Sequence, residues 1–423
     1  MNTELRYAGD IPVYYAPDQA LRRFCLCIYV KAGAIYESRE NNGYAHLFEH
    51  IVFRNLKKQY GDGFYTLLAQ NAVDFNASTH KSVIQFTFSG LPRGIPLVCE
   101  IIALMFSALV VNTGEFNIEK SRIKAEYKED EPHRRFSYLC GQTVWAGSTA
   151  RQDELGYLTN INRASLSSLD RYRREVISRG NIFAVATGCV SRDELGMLSK
   201  ALASVPLSDA PIKEKTVDVP ARYLCRDCTM VIRDDVYTYL HFSFDLGDTA
   251  AYYHLTDFLY FLLFFGYDSV LQQELSEKRA LIYGFDSGVE RYRNIGILDF
   301  SFEVYNHRLE EAMTAVVDTL NRVKSGDFDY DTTIQKLVTD HTEILDDIEG
   351  LNWDIAYHHL LFGQTRDGEA ELKTLMSLNK GEIAAFAAEL FRTDRLVLGL
   401  KGNKRAIDKN RDKLKAILQK LDI

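Results

Sequence analysis

The apolar positions of this chain follow two rhythms, and the same succession of rhythms occurs twice. Leu169, Tyr172, Val176 and Ile177 recur at helical spacing and lead into the apolar run Ile182 to Thr187, closed by Gly188. Ile383, Phe386, Leu390 and Phe391 do the same ahead of Leu396 to Leu400 and Gly402, and the helical positions and the glycine are each displaced by 214 residues. Each copy predicts a helix, a buried strand and a turn. A charged amphipathic helix follows in both, Arg192 to Leu202 and Asn403 to Leu418.

Because 214 is about half of 423, the pattern predicts two units of similar build. Alternating apolar residues predict paired strands in each, Phe24 to Val30 with Val83 to Phe88, and Tyr239 to Phe244 with Ile297 to Val304. Long helical segments separate these strands. The expected fold class is therefore α+β, two homologous α/β units, each an antiparallel-rich sheet with helices packed on one face. The units are expected at 1–205 and 223–423. Residues 206–222 have linker composition, with Pro206, Pro211 and Pro220 around Lys213-Glu214-Lys215.

Composition narrows the classes of function. An apolar fraction of 46% supports large cores, while a net charge of −8 and a pI near 5.8 lack the basic footprint that nucleic acid or anionic lipid requires. The run Phe258 to Tyr267 is too short to span a bilayer and predicts a buried helix. Met1 to Asp10 has no apolar run after a basic start, so a cytoplasmic protein without a secretory signal is expected. Seven cysteines do not describe a disulfide framework, and Cys225-x-x-Cys228 lacks the second pair or nearby histidines of a structural zinc site.

The candidate chemistry lies in His46-Leu47-Phe48-Glu49-His50. On a helix, residues four apart share a face, so both imidazoles can hold one metal ion. Glu49 falls close to that face, where it can reach a water held by the metal and serve as general base. Asn41, Asn42 and Gly43 are expected helix-start residues. The repeat supplies an internal control, because the positions 214 residues beyond His46 and His50 are Tyr260 and Phe264. A packing feature would recur in both halves, so the histidines point to chemistry in the first. A hydrolytic zinc site needs a third protein ligand, and the acidic helix Phe116 to Glu129 offers Glu119 and Glu126, between which spacing does not choose.

These residues resemble the pitrilysin or insulinase family of zinc peptidases, which includes the mitochondrial processing peptidase and carries H-x-x-E-H. Gly33 and Glu37 match the family's G-S-x-x-x-E element, and Gly43 to Arg54 match the motif with its flanks. Asn76-Ala77-Ser78-Thr79 is similar to its N-A-x-T segment, and Phe116-x-x-Glu119-Lys120-x-x-Ile123-x-x-Glu126 to its acidic helix. Leu275 to Tyr283 resembles L-R-x-x-R-G-L-A-Y, with Ser276 in place of the first Arg.

The resemblance implies one Zn²⁺ held by His46, His50 and Glu126, with Glu119 in support and Glu49 moving a proton from water to the leaving amine. It implies that a peptide pairs with the sheet edge at Asn76 and Ala77. It also implies a clamshell to which each chain of this size contributes half, with a partner chain supplying an Arg-Tyr pair. Here Tyr283 is present and the Arg is not, so the expected partner is a related subunit with an intact pair, otherwise a second copy of this chain. The expected activity is hydrolysis of short or unfolded peptides, possible uses being precursor maturation and general turnover. The competing expectation is an assembly subunit that keeps the fold without catalysis.

Overall fold

The computed structural model describes residues 3–129, 131–210, 217, 226–232, 235–365 and 367–423. Most of the expected linker and Cys225 lie outside the described residues. The described part divides into two compact units.

In the first unit six strands form one sheet: β1 (Glu4–Ala8), β2 (Ile11–Pro17), β3 (Phe24–Val30), β4 (Val73–Thr79), β5 (Ile84–Gly90) and β6 (Ile182–Gly188). Their order is β1-β2-β6-β3-β5-β4. All neighbours are antiparallel except β2 and β6. Every residue of the central strand β3 is buried, because both sheet faces are covered. Leu26 and Ile28 point into a core shared with α1 (Tyr44–Tyr60), α2 (Phe64–Gln70), α3 (Ile95–Met105) and α4 (Thr113–Glu129). Cys25, Cys27 and Tyr29, which alternate with them, face the other way.

That second face is covered by a helix from the far end of the chain. Leu351, Ile355 and Ala356 of the helix Ile348–Phe362 pack on Tyr29, Phe183 and Val185. Asn352, fully buried among them, donates from Nδ2 to the Val185 carbonyl at 2.9 Å and accepts from the Tyr29 hydroxyl at 2.9 Å.

The second unit carries β7 (Arg226–Val231), β8 (Tyr237–Asp245), β9 (Asp286–Arg291), β10 (Gly296–Tyr305) and β11 (Leu396–Gly402) in the order β7-β11-β8-β10-β9. The core helix expected over Phe258 to Tyr267 is present as Tyr253–Phe264, with Phe258, Leu259 and Leu263 fully buried, while Phe265 and Tyr267 lie beyond its end and are exposed. The repeat is visible in the elements: Ile182–Gly188 and Leu396–Gly402 are strands at the same 214-residue displacement, as are the helices Leu166–Val176 and Lys380–Leu390 that precede them.

The units do not follow the halves of the chain. Unit 1 comprises Met1–Glu131, Thr149–Lys215 and Glu343–Gly368; unit 2 comprises Pro132–Ser148, Thr216–Thr342 and Glu369–Ile423. This modifies the expected division at 1–205 and 223–423. Besides the helices on one face, each sheet receives on its other face a helix from the opposite half. In unit 2 it is α5 (Glu131–Val144), whose Phe136 and Cys140 pack on Cys228 and Tyr239. An amphipathic helix must bury its apolar stripe somewhere, and here the bare face lies on the other half's sheet.

Candidate metal centre

The helix bearing the histidines is started by a residue well upstream of it. Glu37, buried, accepts from the backbone N–H of Gly43 at 2.8 Å and of Ala45 at 2.7 Å, and from Asn42 Nδ2 at 2.9 Å. These bonds satisfy N–H groups that the first turn of a helix leaves open. Burial pushes the Glu37 carboxyl up to about 7, opposed by the N–H groups of Gly43 and Ala45. The expected helix-start asparagines do not cap the helix: Asn41 turns back to Ser38, and Asn42 serves Glu37 and the Asp153 carbonyl. Gly43 has φ of +104° and lies against Gly156, where a Cβ would come within 2.1 Å of the Gly43 Cα. Neither position has room for a side chain.

One helical turn separates His46 from His50, and their Nε2 atoms lie 3.2 Å apart. Glu126 on α4 brings Oε2 to 3.5 Å from His46 Nε2 and 3.6 Å from His50 Nε2. A tetrahedral site with metal–ligand bonds of roughly 2.0–2.1 Å has edges of about 3.3–3.4 Å, so the triangle fits one zinc-sized ion. Two neutral-capable imidazoles and a carboxylate are also the chemistry that zinc selects. His46 is buried, His50 is partly so and Glu126 is exposed, which leaves the triangle open on one side. Burial lowers His46 to about 4. Burial would lower His50 as well, but Glu119 and Glu126 raise it to about 9.

Glu119 is the other acidic candidate on α4. It is 2% exposed and points its Oε2 at His50 Nδ1, 3.4 Å away, while Arg54 Nε donates to its Oε1 at 2.7 Å. Glu119 therefore meets the far side of the His50 ring, and Glu126 the near side. His50 and Arg54 hold Glu119 below the usual carboxylate range against the opposing pull of burial.

Glu49 stands outside the triangle. Burial raises its carboxyl, and the Thr79 hydroxyl, donating to Oε2 at 2.7 Å, works the other way. Thr79 ends β4, an edge strand with no neighbour on its outer side among the described residues. Asn76 and Ala77 lie on that strand, Asn76 exposed and Ala77 half-buried. A pocket of about 200 Å³ runs from Glu49 and His50 past Phe53 to Lys57, Tyr65 and Arg122.

Tyr283 belongs to the second unit. It is fully exposed at the rim of an open groove of about 900 Å³, whose lining includes Ser276, Tyr237, Tyr239 and Tyr305. Two contributors carried sequence signals without an assigned role. Glu37 and Thr79 both sit in segments that resemble the family, but their partners, the N-terminus of α1 and Glu49, become visible only when the chain is folded.

Comparison with known proteins places the chain in a family. The sequence pattern of the insulinase domain, peptidase family M16, matches residues 18–146, and that of the peptidase M16 inactive domain matches residues 163–335. The chain belongs to this family. The human mitochondrial-processing peptidase subunit beta is 27% identical over 186 residues, 43% of this chain and 38% of that protein. Subunit 1 of the mouse cytochrome b-c1 complex is 24% identical over 195 residues, 45% of this chain and 40% of that protein. The matched stretch thus spans about two-fifths of these relatives. The crystal structure of a peptidase M16 inactive domain from Pseudomonas fluorescens has the same fold, with a TM-score of 0.82 at 16% identity, covering 96% of this chain and 99% of that one.

Proposed function

We propose that this chain is a zinc peptidase that cleaves short or unfolded peptides. The observation that carries the reading is the triangle of His46 Nε2, His50 Nε2 and Glu126 Oε2, with edges of 3.2–3.6 Å and Glu49 beside it. These three residues would hold the ion. Bound zinc polarises a carbonyl and makes water a nucleophile at neutral pH. Glu49 then takes a proton from the attacking water and delivers it to the leaving amine, a role that its raised carboxyl suits. Glu119 fixes the orientation of the His50 ring, as partners behind metal-bound imidazoles do.

The substrate lies extended along β4, so that its main chain pairs with Asn76 and Ala77 and demands little of its sequence. One side chain next to the scissile bond enters the pocket between Phe53, Lys57 and Tyr65. Thr79 couples this strand to the base. Tyr283 contacts substrate together with residues of a second, related subunit that provides the arginine absent at Ser276. The relatives that are themselves named as subunits support an assembly of this kind.

A second reading, a structural subunit without catalysis, has one observation in its favour: a relative of similar identity is a subunit of the cytochrome b-c1 complex. Measuring bound zinc and cleavage of unstructured peptides, for the native chain and Glu49→Gln, with and without a related subunit, separates the two. A peptidase keeps its zinc in Glu49→Gln and loses cleavage. Zinc without cleavage in every native preparation supports the structural role, and full activity of the chain alone removes the need for a second subunit.

A further inference from the structure

We propose that Cys140 and Cys228 are a modification site, oxidised together by a disulfide reagent of the glutathione class to a bond that staples α5 to β7 in the second unit. Their Sγ atoms lie 3.4 Å apart, at van der Waals contact, and both side chains are buried. The chain makes room for this pair. Cys228 stands opposite Gly399 in the parallel pairing of β7 with β11. A Cβ on Gly399 would come within 2.6 Å of Cys140 Sγ and 3.3 Å of Cys228 Sγ. Any larger residue at 399 would occupy the space in which the sulfurs meet. Phe136, Leu139, Met230 and Tyr239 surround them with apolar surface, so neither thiol is placed to hold a metal or to act on a substrate.

Among the described residues the other close pair is less favourably placed. Cys25 and Cys27 have Sγ atoms 3.7 Å apart but lie two residues apart on one strand. Extended backbone holds such Cα atoms about 6.6 Å apart, near the upper limit that a disulfide spans. Cys140 and Cys228 come from separate elements, a helix and a strand 88 residues apart in sequence, and no shared run of extended backbone fixes their spacing.

The reaction balances as thiol–disulfide exchange. The sulfur of one cysteine attacks glutathione disulfide, the S–S bond breaks and one glutathione thiol leaves. The second cysteine attacks the mixed disulfide, the Cys140–Cys228 bond forms and a second glutathione leaves. Two electrons and two protons pass from the protein thiols to two glutathione molecules. The bond from Cys228, with burial, holds the Cys140 thiol protonated. Exchange is therefore slow and proceeds through local opening of α5.

Of the seven cysteines, only Cys225 and Cys228 follow residue 222. The full chain with a protease site inserted within residues 211–216 is equilibrated in glutathione buffers from reducing to oxidising, alkylated, cut, and run on a denaturing gel without reductant, with peptide mapping in parallel. The expected result is halves joined at the oxidising end, a mapped Cys140–Cys228 peptide, and joining that survives Cys225→Ser and disappears in Cys140→Ser and Cys228→Ser. A melting midpoint raised by several degrees in the oxidised form, and restored by dithiothreitol, accompanies it. Halves that separate in every buffer, or a map in which Cys225 forms the bridge, overturn the proposal. The unsubstituted chain's map decides the matter even where a serine variant folds poorly.

Discussion

The Thr79 hydroxyl donates to the Glu49 carboxylate at 2.7 Å, joining the last residue of an edge strand to the proposed base. In Thr79→Val the shape is kept and the bond removed. Without the donor the Glu49 carboxyl rises further, because the hydroxyl favours its ionised form. The expected outcome is a kcat lowered about tenfold, an acidic limb of the pH–kcat profile moved to higher pH, and unchanged zinc content. An unaltered profile would show that the bond only positions the strand.

Glu119 and Glu126 meet opposite sides of the His50 ring, and their substitutions should separate. Glu126→Gln replaces the carboxylate of the triangle with a neutral amide, a poor zinc ligand, so zinc stoichiometry falls well below one after dialysis. Glu119→Gln keeps all three donors and weakens zinc roughly 10- to 100-fold, the usual effect of losing a partner behind a ligand. It also leaves Arg54 without its 2.7 Å carboxylate partner. Competition titration with a chelator distinguishes the two; equal losses would contradict the assignment of roles.

His50 raised to about 9 is protonated at neutral pH in the metal-free protein, whereas His46, lowered to about 4, is already neutral. Binding zinc must expel that single proton. Apparent zinc affinity should therefore rise about tenfold per pH unit from pH 6 and level off near 9. Isothermal titration in buffers of differing ionisation enthalpy counts the released proton. A flat affinity across this range would show that His50 is neutral before the metal arrives.

Asn352 bonds to Tyr29 and to the Val185 carbonyl from the helix that crosses between the halves. Asn352→Leu fills the same space but strands the buried groups it served, at a cost of about 2–4 kcal/mol. The melting midpoint of the whole chain is expected to drop, with zinc stoichiometry intact below the transition. Wild-type stability in this variant would mean that apolar packing alone seats the helix.

The chain folds a non-glycine residue into the left-handed region at Ala280, φ +47°. The family segment that Leu275 to Tyr283 resembles has glycine at this place. Ala280→Gly should raise stability by up to about 1 kcal/mol, read as a shift in the denaturation midpoint. A loss of stability would indicate that the alanine methyl packs usefully against its neighbours.

Much of the fold could be read from periodicity, and the reasons it could are physical. Ile182–Gly188 and Leu396–Gly402 are buried on both faces, so they appear as unbroken apolar runs at a fixed spacing. The histidine helix declared itself by i, i+4 spacing and by the absence of a copy at Tyr260 and Phe264. What stayed hidden was the choice of partner. Spacing alone left Glu119 and Glu126 equivalent, since both lie on one helix face two turns apart. Periodicity shows that a helix has a face to bury but not which sheet receives it, so the crossing of Pro132–Ser148 and Glu343–Gly368 left no mark. Glu37 carries no local cap signal, because it reaches the helix start from a separate turn six residues before Gly43.

That crossing also sets an order of events for a chain emerging from a ribosome. The sheet that carries the histidine helix has all its strands once Gly188 is made, yet its second face waits for Ile348–Phe362. Until then Tyr14, Tyr29 and Phe183 have no cover from that helix. A nascent chain stalled between these points is expected to bind chaperones that recognise aromatic surface, and to release them once the segment ending at Gly368 has emerged.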